Sequence, residues 1–217
     1  MISSLFPGVL VTLKAIAINA TLKPTGKEPS STDKMIDLVR DQLKEHEVEW
    51  AGTIRLADHR IKWGVSSDEG DGDEWPELRR RILAADILVF GTPIWMGQLS
   101  SPAKLVLERM DAFLSETDDR GRTPASGKLA VAAIVGNEDG AHRCTADLFQ
   151  ALNDVGWTIP AGGATYWVGE AMNKKDFKDL PEVPEQVTAT VAALASNAAH
   201  LAKLLGNDTY KGVEQKA

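Results

Sequence analysis

The chain has 217 residues, 43% hydrophobic and 25% charged, which is enough for one sizeable core and short for two. Its formal net charge of −7 argues against a general nucleic-acid binder, because such proteins present a cationic face to phosphates. The single cysteine, Cys144, excludes a disulfide within the chain and any cysteine-rich zinc or iron–sulfur site. No window of the sequence has the apolar length of a membrane span.

We predict a single domain over residues 1–217, with an N-terminal arm over 1–12 and a tail over 207–217. The apolar start, MISSLFPGVLVTLKAIAINA, lacks a basic leader and a clean small-residue cleavage site, and it continues directly into a strand. We therefore do not interpret it as a signal peptide. Together with the single cysteine, this favours a cytoplasmic protein.

Five β-type runs alternate with amphipathic helical patterns along the chain. The runs cover residues 14–19, 48–56, 87–91, 128–135 and 158–168. The first, third and fourth are continuously apolar, which indicates burial on both faces and is typical of central parallel strands. The helical patterns cover residues 33–46, 75–86, 101–114, 144–156 and 184–206, with Gly156 and Gly206 as candidate C-terminal stops.

Strand and helix alternating five times predicts an α/β protein with a doubly wound parallel sheet and helices on both faces. Five strands suit the flavodoxin-like order 2-1-3-4-5 better than the longer six-stranded dinucleotide-binding order. In such a sheet, ligands bind outside the carboxyl ends of the strands, where the strand order reverses. The loops after the first, third and fourth strands are therefore the candidate sites.

The loop after the first strand, NATLKPTGKEPSSTDKM, ends in Ser30-Ser31-Thr32-Asp33 at a helix start. Hydroxyls and free backbone N–H groups at a helix N-terminus suit an anion such as a phosphate. Capping of the helix uses the same groups, so the sequence leaves these two interpretations open. Neither the glycine-rich loop of nucleoside triphosphatases nor a Gly-x-Gly-x-x-Gly motif occurs.

The segment after the third strand is the second unusual loop. We expect Gly91 and Pro93 to turn the chain sharply, and Gly97 to let the backbone approach a ligand. Three large apolar residues would form an aromatic wall in this loop: Ile94, Trp95 and Met96. Such a wall beside an anion site suits a ligand with a flat ring and a phosphate, although a tryptophan such as Trp95, taken alone, is more typical of a core or interface position.

The loop after the fourth strand has the sequence VGNEDGAHRC. Within it, Gly136 and Gly140 flank three polar residues, Asn137, Glu138 and Asp139. Such a loop can present backbone and side-chain hydrogen-bonding groups to the edge of a heterocycle.

Two other features receive no chemical role. His142 has no visible partner, which is typical of a surface histidine rather than a general acid. The acidic insert SSDEGDGDEWP, residues 66–76, is interpreted as a solvated loop, because its carboxylates do not have the spacing of a calcium loop. We predict no metal site and no catalytic side chain.

Three segments resemble successive parts of the flavodoxin-like NAD(P)H-dependent FMN reductases and quinone reductases. They are KAIAINATLKP…SSTDKMIDLV, ADILVFGTPIWMGQLSSPAKLVLERMDAF and VGNEDGAHRCTADLFQALNDVGWTIP. The similarity extends over residues 14–169. It implies FMN as cofactor, NAD(P)H as the hydride donor, and a quinone, free flavin or similar small molecule as the electron acceptor.

The resemblance also implies that each of the three loops contacts a different part of FMN. The first would hold the FMN phosphate through Thr21, Lys23, Ser31 and Thr32. The second would lie along the ribityl chain and ring through Pro93, Ile94, Trp95, Met96 and Gly97. The third would pass the ring edge through Gly136, Asn137, Glu138, Asp139 and Gly140. The family often has Ser-Pro-Arg where this chain has Thr21-Leu22-Lys23, so a guanidinium fork is replaced by a point charge.

A bound flavin needs little acid–base machinery from the protein, which agrees with the lack of a recognisable triad or carboxylate pair. In related enzymes neighbouring subunits complete the flavin pocket, so the resemblance implies a homodimer or homotetramer. Two alternatives stay open: an electron carrier with the same flavin, and a flavin-free binding or scaffold module in which Trp95 belongs to an interface.

Overall fold

The computed structural model describes residues 12–26 and 28–213, so the predicted arm lies outside the described residues except for Thr12. The strands in this part of the chain are β1 Lys14–Asn19, β2 Glu49–Arg55, β3 Ile87–Trp95, β4 Gln98–Leu99, β5 Leu129–Gly136 and β6 Ala164–Val168. The α-helices are α1 Ser31–Glu45, α2 Trp75–Leu83, α3 Ser101–Met110, α4 Ala141–Asp154 and α5 Glu185–Asn207. Short 3-10 helices cover Leu56–Asp58, Asp111–Ser115 and Phe177–Asp179.

The five long strands form one parallel sheet in the order β2-β1-β3-β5-β6. With the short β4 left aside, this is the predicted order 2-1-3-4-5, and that prediction is confirmed. One apolar core lies between the sheet and helices α2, α3 and α4, and a second lies between the sheet and helices α1 and α5. Strands β1, β3 and β5 are buried along most of their length because helices cover both faces.

Most helix boundaries lie within a few residues of the predicted ones. Of the two glycines predicted to end helices, one does so and the other does not. Gly156 follows the C-cap residue of α4, Val155, and has a φ of +104°, as expected of a C-terminal stop. Gly206 is not a stop, because α5 continues to Asn207. The last strand begins six residues later than predicted, since residues 160–163 form a turn and Thr158 makes only an isolated bridge to the sheet.

The predicted loop after the third strand is wrong in its local structure. Strand β3 continues to Trp95, turns at Met96 and Gly97, and returns as β4, with Trp95 paired to Gln98. Met96 and Gly97 have φ angles of +55° and +70°, as the two-residue turn of a hairpin requires. The aromatic wall is therefore a strand end and a hairpin tip.

Gly91 does not turn the chain, because it is buried within β3. A Cβ atom at this position would lie 2.5 Å from Cδ1 of Ile36 in α1. The glycine therefore allows α1 to pack closely on the sheet. That close packing places the N-terminus of α1 at the carboxyl edge of the strands.

Replacement of Met96 by Asn should raise the free energy of unfolding by about 0.5–1 kcal/mol, because Asn tolerates the left-handed conformation better than Met. The Met96 side chain is 87% exposed, so its loss costs little burial. Urea unfolding of the wild type and Met96→Asn measures the difference. A lower transition midpoint in the variant would contradict the turn conformation described here.

The acidic insert between β2 and α2 is anchored in the core, which corrects its interpretation as a solvated loop. The side chains of Asp73 and Arg109 are both 0% exposed and form an ion pair at 2.7 Å. The remaining Arg109 donors reach the carbonyl oxygens of Ser66 and Lys62, each at 2.9 Å. One buried guanidinium in α3 thus fixes two points of the insert, Ser66 and Asp73, and one point just before it, Lys62.

Candidate functional site

A cavity of about 510 Å³ opens at the carboxyl edge of the sheet. It lies among the loops that follow β1, β3, β5 and β6. Ten of the residues predicted to bind the flavin line it: Thr21, Lys23, Ser31, Thr32, Pro93, Ile94, Trp95, Gly136, Asn137 and Glu138. The loops after the first, third and fourth predicted strands therefore meet at one cavity.

The other four predicted residues lie outside the cavity lining: Met96, Gly97, Asp139 and Gly140. A Cβ atom on Gly140 would lie 2.8 Å from backbone atoms of Gly97, so the hairpin tip and the third loop are in close contact. The Glu138 carboxylate joins the same two segments, since it accepts the N–H groups of Met96 at 2.9 Å and Gly97 at 3.2 Å. These contacts hold the hairpin that carries Trp95.

The polar end of the cavity is built by the N-terminus of α1. Ser30 caps the helix, because its Oγ accepts the N–H of Thr32 at 3.1 Å. The hydroxyl-bearing residues Ser31 and Thr32 line the cavity beside this cap. The cap, which the sequence could not separate from an anion site, is Ser30, and the hydroxyl-bearing residues in the cavity lining are its neighbours.

The loop after β1 completes the polar end. The buried side chain of Asn19 accepts the N–H of Thr21 at 2.9 Å, which fixes the bend that brings Thr21 to the cavity. Lys23 also lines the cavity, and its ammonium lies 2.6 Å from the carboxylate of Glu28. The positive charge of Lys23 is therefore partly neutralised by Glu28 in the protein without ligand.

The apolar end of the cavity contains two indole rings. Trp95, 51% exposed, stands at the end of β3, and the half-buried Trp167 stands near the end of β6. The Trp167 ring packs against the buried ring of Phe177, with centroids 5.4 Å apart. Sequence reasoning missed Trp167, although the rule applied to the other strand ends holds equally for the fifth strand.

Sequence reasoning also missed the segment between β6 and α5, residues 169–184, which we call the strap. Five of its residues line the cavity: Ala171, Met172, Asp176, Phe177 and Lys178. The hydrogen bond to Asp179 raises the pKa of Lys178, so that its ammonium stays charged. No motif marked this segment; the only sequence signal was its position after the fifth strand.

Two further residues that drew attention lie outside this lining. Nε2 of His142 is 3.0 Å from the hydroxyl of Tyr166, and the two rings meet edge to face. His142 therefore has a partner that the sequence did not reveal. Cys144 is buried, and burial raises its pKa to about 11, which disfavours the thiolate that a nucleophile needs.

The residues that meet in the cavity fit a phosphorylated flavin. The hydroxyls and the lysine of the lining suit a phosphate, and its indoles and amide suit a flat heterocycle. A volume of about 510 Å³ lies within the range of cofactor pockets. Among the residues that the structure describes, no cluster of side chains has the composition of a metal site.

A parallel sheet in this order, with a cavity at its carboxyl edge, defines a flavodoxin-like α/β protein. The family model described as NADPH-dependent FMN reductase matches residues 13–173, and the chain belongs to this family. The family binds FMN and uses NAD(P)H. The expected resemblance is confirmed.

Relatives with flavin-related names extend over most of the chain. The 8-demethyl-8-aminoriboflavin-5′-phosphate synthase of Streptomyces davaonensis is 28% identical over 208 residues, which are 91% of this chain and 80% of that protein. The crystal structure of RosB with bound 8-demethyl-8-formylriboflavin-5′-phosphate has a TM-score of 0.80 at 29% identity and covers 91% of this chain and 82% of that one. An archaeal flavodoxin, at 10% identity and a TM-score of 0.55, shows the fold alone.

A third relative is much longer than this chain. The divalent metal cation transporter MntH of Mycobacterium bovis is 40% identical over 163 residues, which are 73% of this chain and 24% of the transporter. The chain thus spans about a quarter of that relative's length. Over residues 12–26 and 28–213, no helix is both long and apolar enough to cross a membrane.

Proposed function

We propose that this protein is an FMN-dependent oxidoreductase that takes hydride from NAD(P)H and passes electrons to a quinone, free flavin or similar small acceptor. The observation that carries the proposal is the cavity itself, whose lining combines hydroxyls, lysines and two indoles. Membership of the FMN reductase family supports the cofactor and the electron donor. The flavin phosphate named for RosB supports a phosphorylated flavin as the occupant.

The chain's own residues would bind and orient the cofactor. Ser31, Thr32, Thr21 and Lys23 would hold the phosphate, and Asn137 would meet the ring edge. Pro93, Ile94 and Trp95 would lie along the ring, while Met96, Gly97, Asp139 and Gly140 would support it as the hairpin tip and its contact. Bound FMN would supply the two-electron chemistry between NAD(P)H and the acceptor.

The half-exposed Trp95 leaves the mouth of the cavity accessible, so the second substrate can approach from solvent. We assign no proton transfer to any side chain. The cytoplasmic location and the homodimer or homotetramer remain predictions from the sequence. The family resemblance implies the assembly.

Replacing Trp95 with Ala should weaken FMN binding about tenfold, because a ring contact contributes roughly 0.5–1.5 kcal/mol beyond its buried area. The turnover of the FMN-saturated variant should stay within severalfold of the wild type, since Trp95 moves no proton. Trp63→Ala is the matched control, as Trp63 is 76% exposed and does not line this cavity. Loss of turnover with FMN still bound would show that Trp95 does more than bind the ring.

The experiment that tests the proposed function is steady-state oxidation of NADH and NADPH by the FMN-loaded protein, with a quinone or free flavin as acceptor. We expect rates well above those of the same mixture without protein and of free FMN. Rates equal to that background would contradict the enzyme. A protein that retains flavin but fails this assay would be an electron carrier, and one that retains no flavin would be a scaffold module.

A second candidate is that the flavin phosphate is a substrate and not a resident cofactor. The similarity to the Streptomyces davaonensis synthase, over 91% of this chain, favours it. Mass spectrometry of the flavin recovered after turnover separates the two candidates. Recovery of unchanged FMN supports the reductase, whereas a flavin with an altered mass supports the second candidate.

A further inference from the structure

The strap supplies cavity residues that lie beyond the family match. That match ends at residue 173, whereas Asp176, Phe177 and Lys178 line the cavity. The buried Phe177 fixes the strap to the protein, and Lys34 of α1 donates to its carbonyl oxygen at 3.1 Å and to that of Leu180 at 2.9 Å. Part of the cavity wall is therefore held in place by contacts outside the matched residues.

The strap also bonds to two residues that we place at opposite ends of the proposed flavin site. The Asp176 carboxylate accepts from Nδ2 of Asn137 at 2.6 Å, and the backbone N–H of Lys178 donates to Oγ of Ser31 at 3.1 Å. Asn137 stands on the proposed ring side and Ser31 on the proposed phosphate side. Asp176 and Lys178, which are two positions apart in the strap, thus contact both Asn137 and Ser31.

The contact to Asn137 settles the direction of its amide. A free side-chain amide can exchange its oxygen and nitrogen positions, but an NH₂ group committed to a carboxylate keeps the oxygen on the other side. The first strap residue, Gly169, leaves room for that oxygen, because a Cβ atom there would lie 2.8 Å from Oδ1 of Asn137. The strap therefore constrains both polar atoms of the amide.

We propose that Asp176 is a positioning residue that orients Asn137, so that the strap sets the affinity of the site for the flavin ring. This inference rests on the proposed function, because it takes Asn137 to face FMN. Asp176 makes a charge-assisted bond to Nδ2, which is stronger than a bond between neutral groups. The Asp176 carboxylate also lies 3.5 Å from the ammonium of Lys178, so the test must separate this ion pair from the contact with the amide.

Two substitutions separate positioning from simple support of the strap. Asp176→Ser keeps the backbone N–H that donates to Asp179 at 3.3 Å, and serine is a good residue before a short helix, but its side chain is too short to reach Asn137. Asp176→Asn keeps an acceptor oxygen at the same reach. We expect the serine variant to bind FMN about five- to tenfold more weakly and to shift the visible band of bound FMN, with the asparagine variant within about twofold of the wild type.

A double-mutant cycle tests whether the effect passes through the amide. In an Asn137→Ala background, adding Asp176→Ser should change the dissociation constant of FMN by less than about twofold. Lys175→Ala, an exposed strap position outside the cavity lining, is the control and should bind as the wild type does. Calorimetric titration with FMN measures all six proteins, the asparagine variant included.

Three outcomes overturn the inference. Wild-type affinity in Asp176→Ser would do so, as would an equal loss of affinity with and without the Asn137 amide. If either of these results is obtained while the wild type still binds FMN tightly, only this inference is overturned and the proposed function is unaffected. A wild type that does not bind FMN overturns both.

Discussion

Replacing Ser31 with Asp should weaken FMN binding by about a hundredfold or more while leaving riboflavin binding nearly unchanged. Ser31 lines the polar end of the cavity, in the first turn of α1. A carboxylate there would lie beside the proposed phosphate, and two like charges about 4 Å apart repel by roughly 1–4 kcal/mol, depending on their exposure to water. Riboflavin has no phosphate and escapes this repulsion.

The same substitution should not harm the fold, which makes its effect on binding easy to interpret. An acidic residue in the first turn of a helix stabilises it by about 0.3–1 kcal/mol. The thermal midpoint of Ser31→Asp should therefore equal or exceed that of the wild type. Ser196→Asp, on the exposed side of α5, is the charge-matched control. Equal loss of FMN and riboflavin binding, or no loss of either, would refute a phosphate at Ser31.

Replacing Arg109 with Met should lower the free energy of unfolding by about 3–5 kcal/mol, because it leaves the Asp73 carboxylate buried without its partner. The wild-type guanidinium also fixes the insert through the carbonyl oxygens of Ser66 and Lys62. The double variant Arg109→Met/Asp73→Leu should recover part of this loss, since it removes both charges. Urea unfolding of the wild type, the single variant and the double variant gives the comparison.

The pH dependence of these proteins should differ in magnitude below about pH 4. Burial opposes ionisation of Asp73, but hydrogen bonds from Arg109 and from backbone N–H groups outweigh it and hold the pKa of Asp73 far below its ordinary value. In the wild type, ionised Asp73 therefore stabilises the fold fully above its unfolded-state pKa of about 4. This stabilisation is lost as the pH falls toward the folded-state pKa of Asp73. Without Arg109 the carboxylate keeps only its backbone N–H donors, so its burial is less fully offset and its folded-state pKa should be higher than in the wild type. The variant should therefore gain less stability than the wild type as the pH rises through the range below about 4. A single variant that follows the wild-type profile would contradict this account.

The sheet could be predicted from the sequence because the central strands are buried on both faces and leave an unambiguous apolar signal. Strand β1 has the predicted bounds of residues 14–19. The end of β3 could not be placed, because Ile94 and Trp95 are as compatible with a loop wall as with a strand, and only tertiary pairing to β4 decides between them. The anchoring of the insert by Arg109 was equally invisible, since the contact spans 36 residues.

The candidate site was predictable to the extent that the fold brings strand ends together. Ser31 begins α1, Trp95 ends β3 and Asn137 follows β5, and all three line one cavity. The contribution of Asp176 and Lys178 was not predictable, because the strap has no periodicity and returns to α1 across 147 residues of chain. The role of Gly91 could not be predicted either, because glycine is required both by a turn and by close contact with a helix.

In the proposed function, this cavity binds one FMN through its phosphate and its ring together. Calorimetric titration of the flavin-stripped protein with FMN, and in parallel with riboflavin, tests it most directly. We predict one FMN per chain, bound at least tenfold more tightly than riboflavin. No heat of binding with FMN, or equal affinity for the two flavins, would contradict the account.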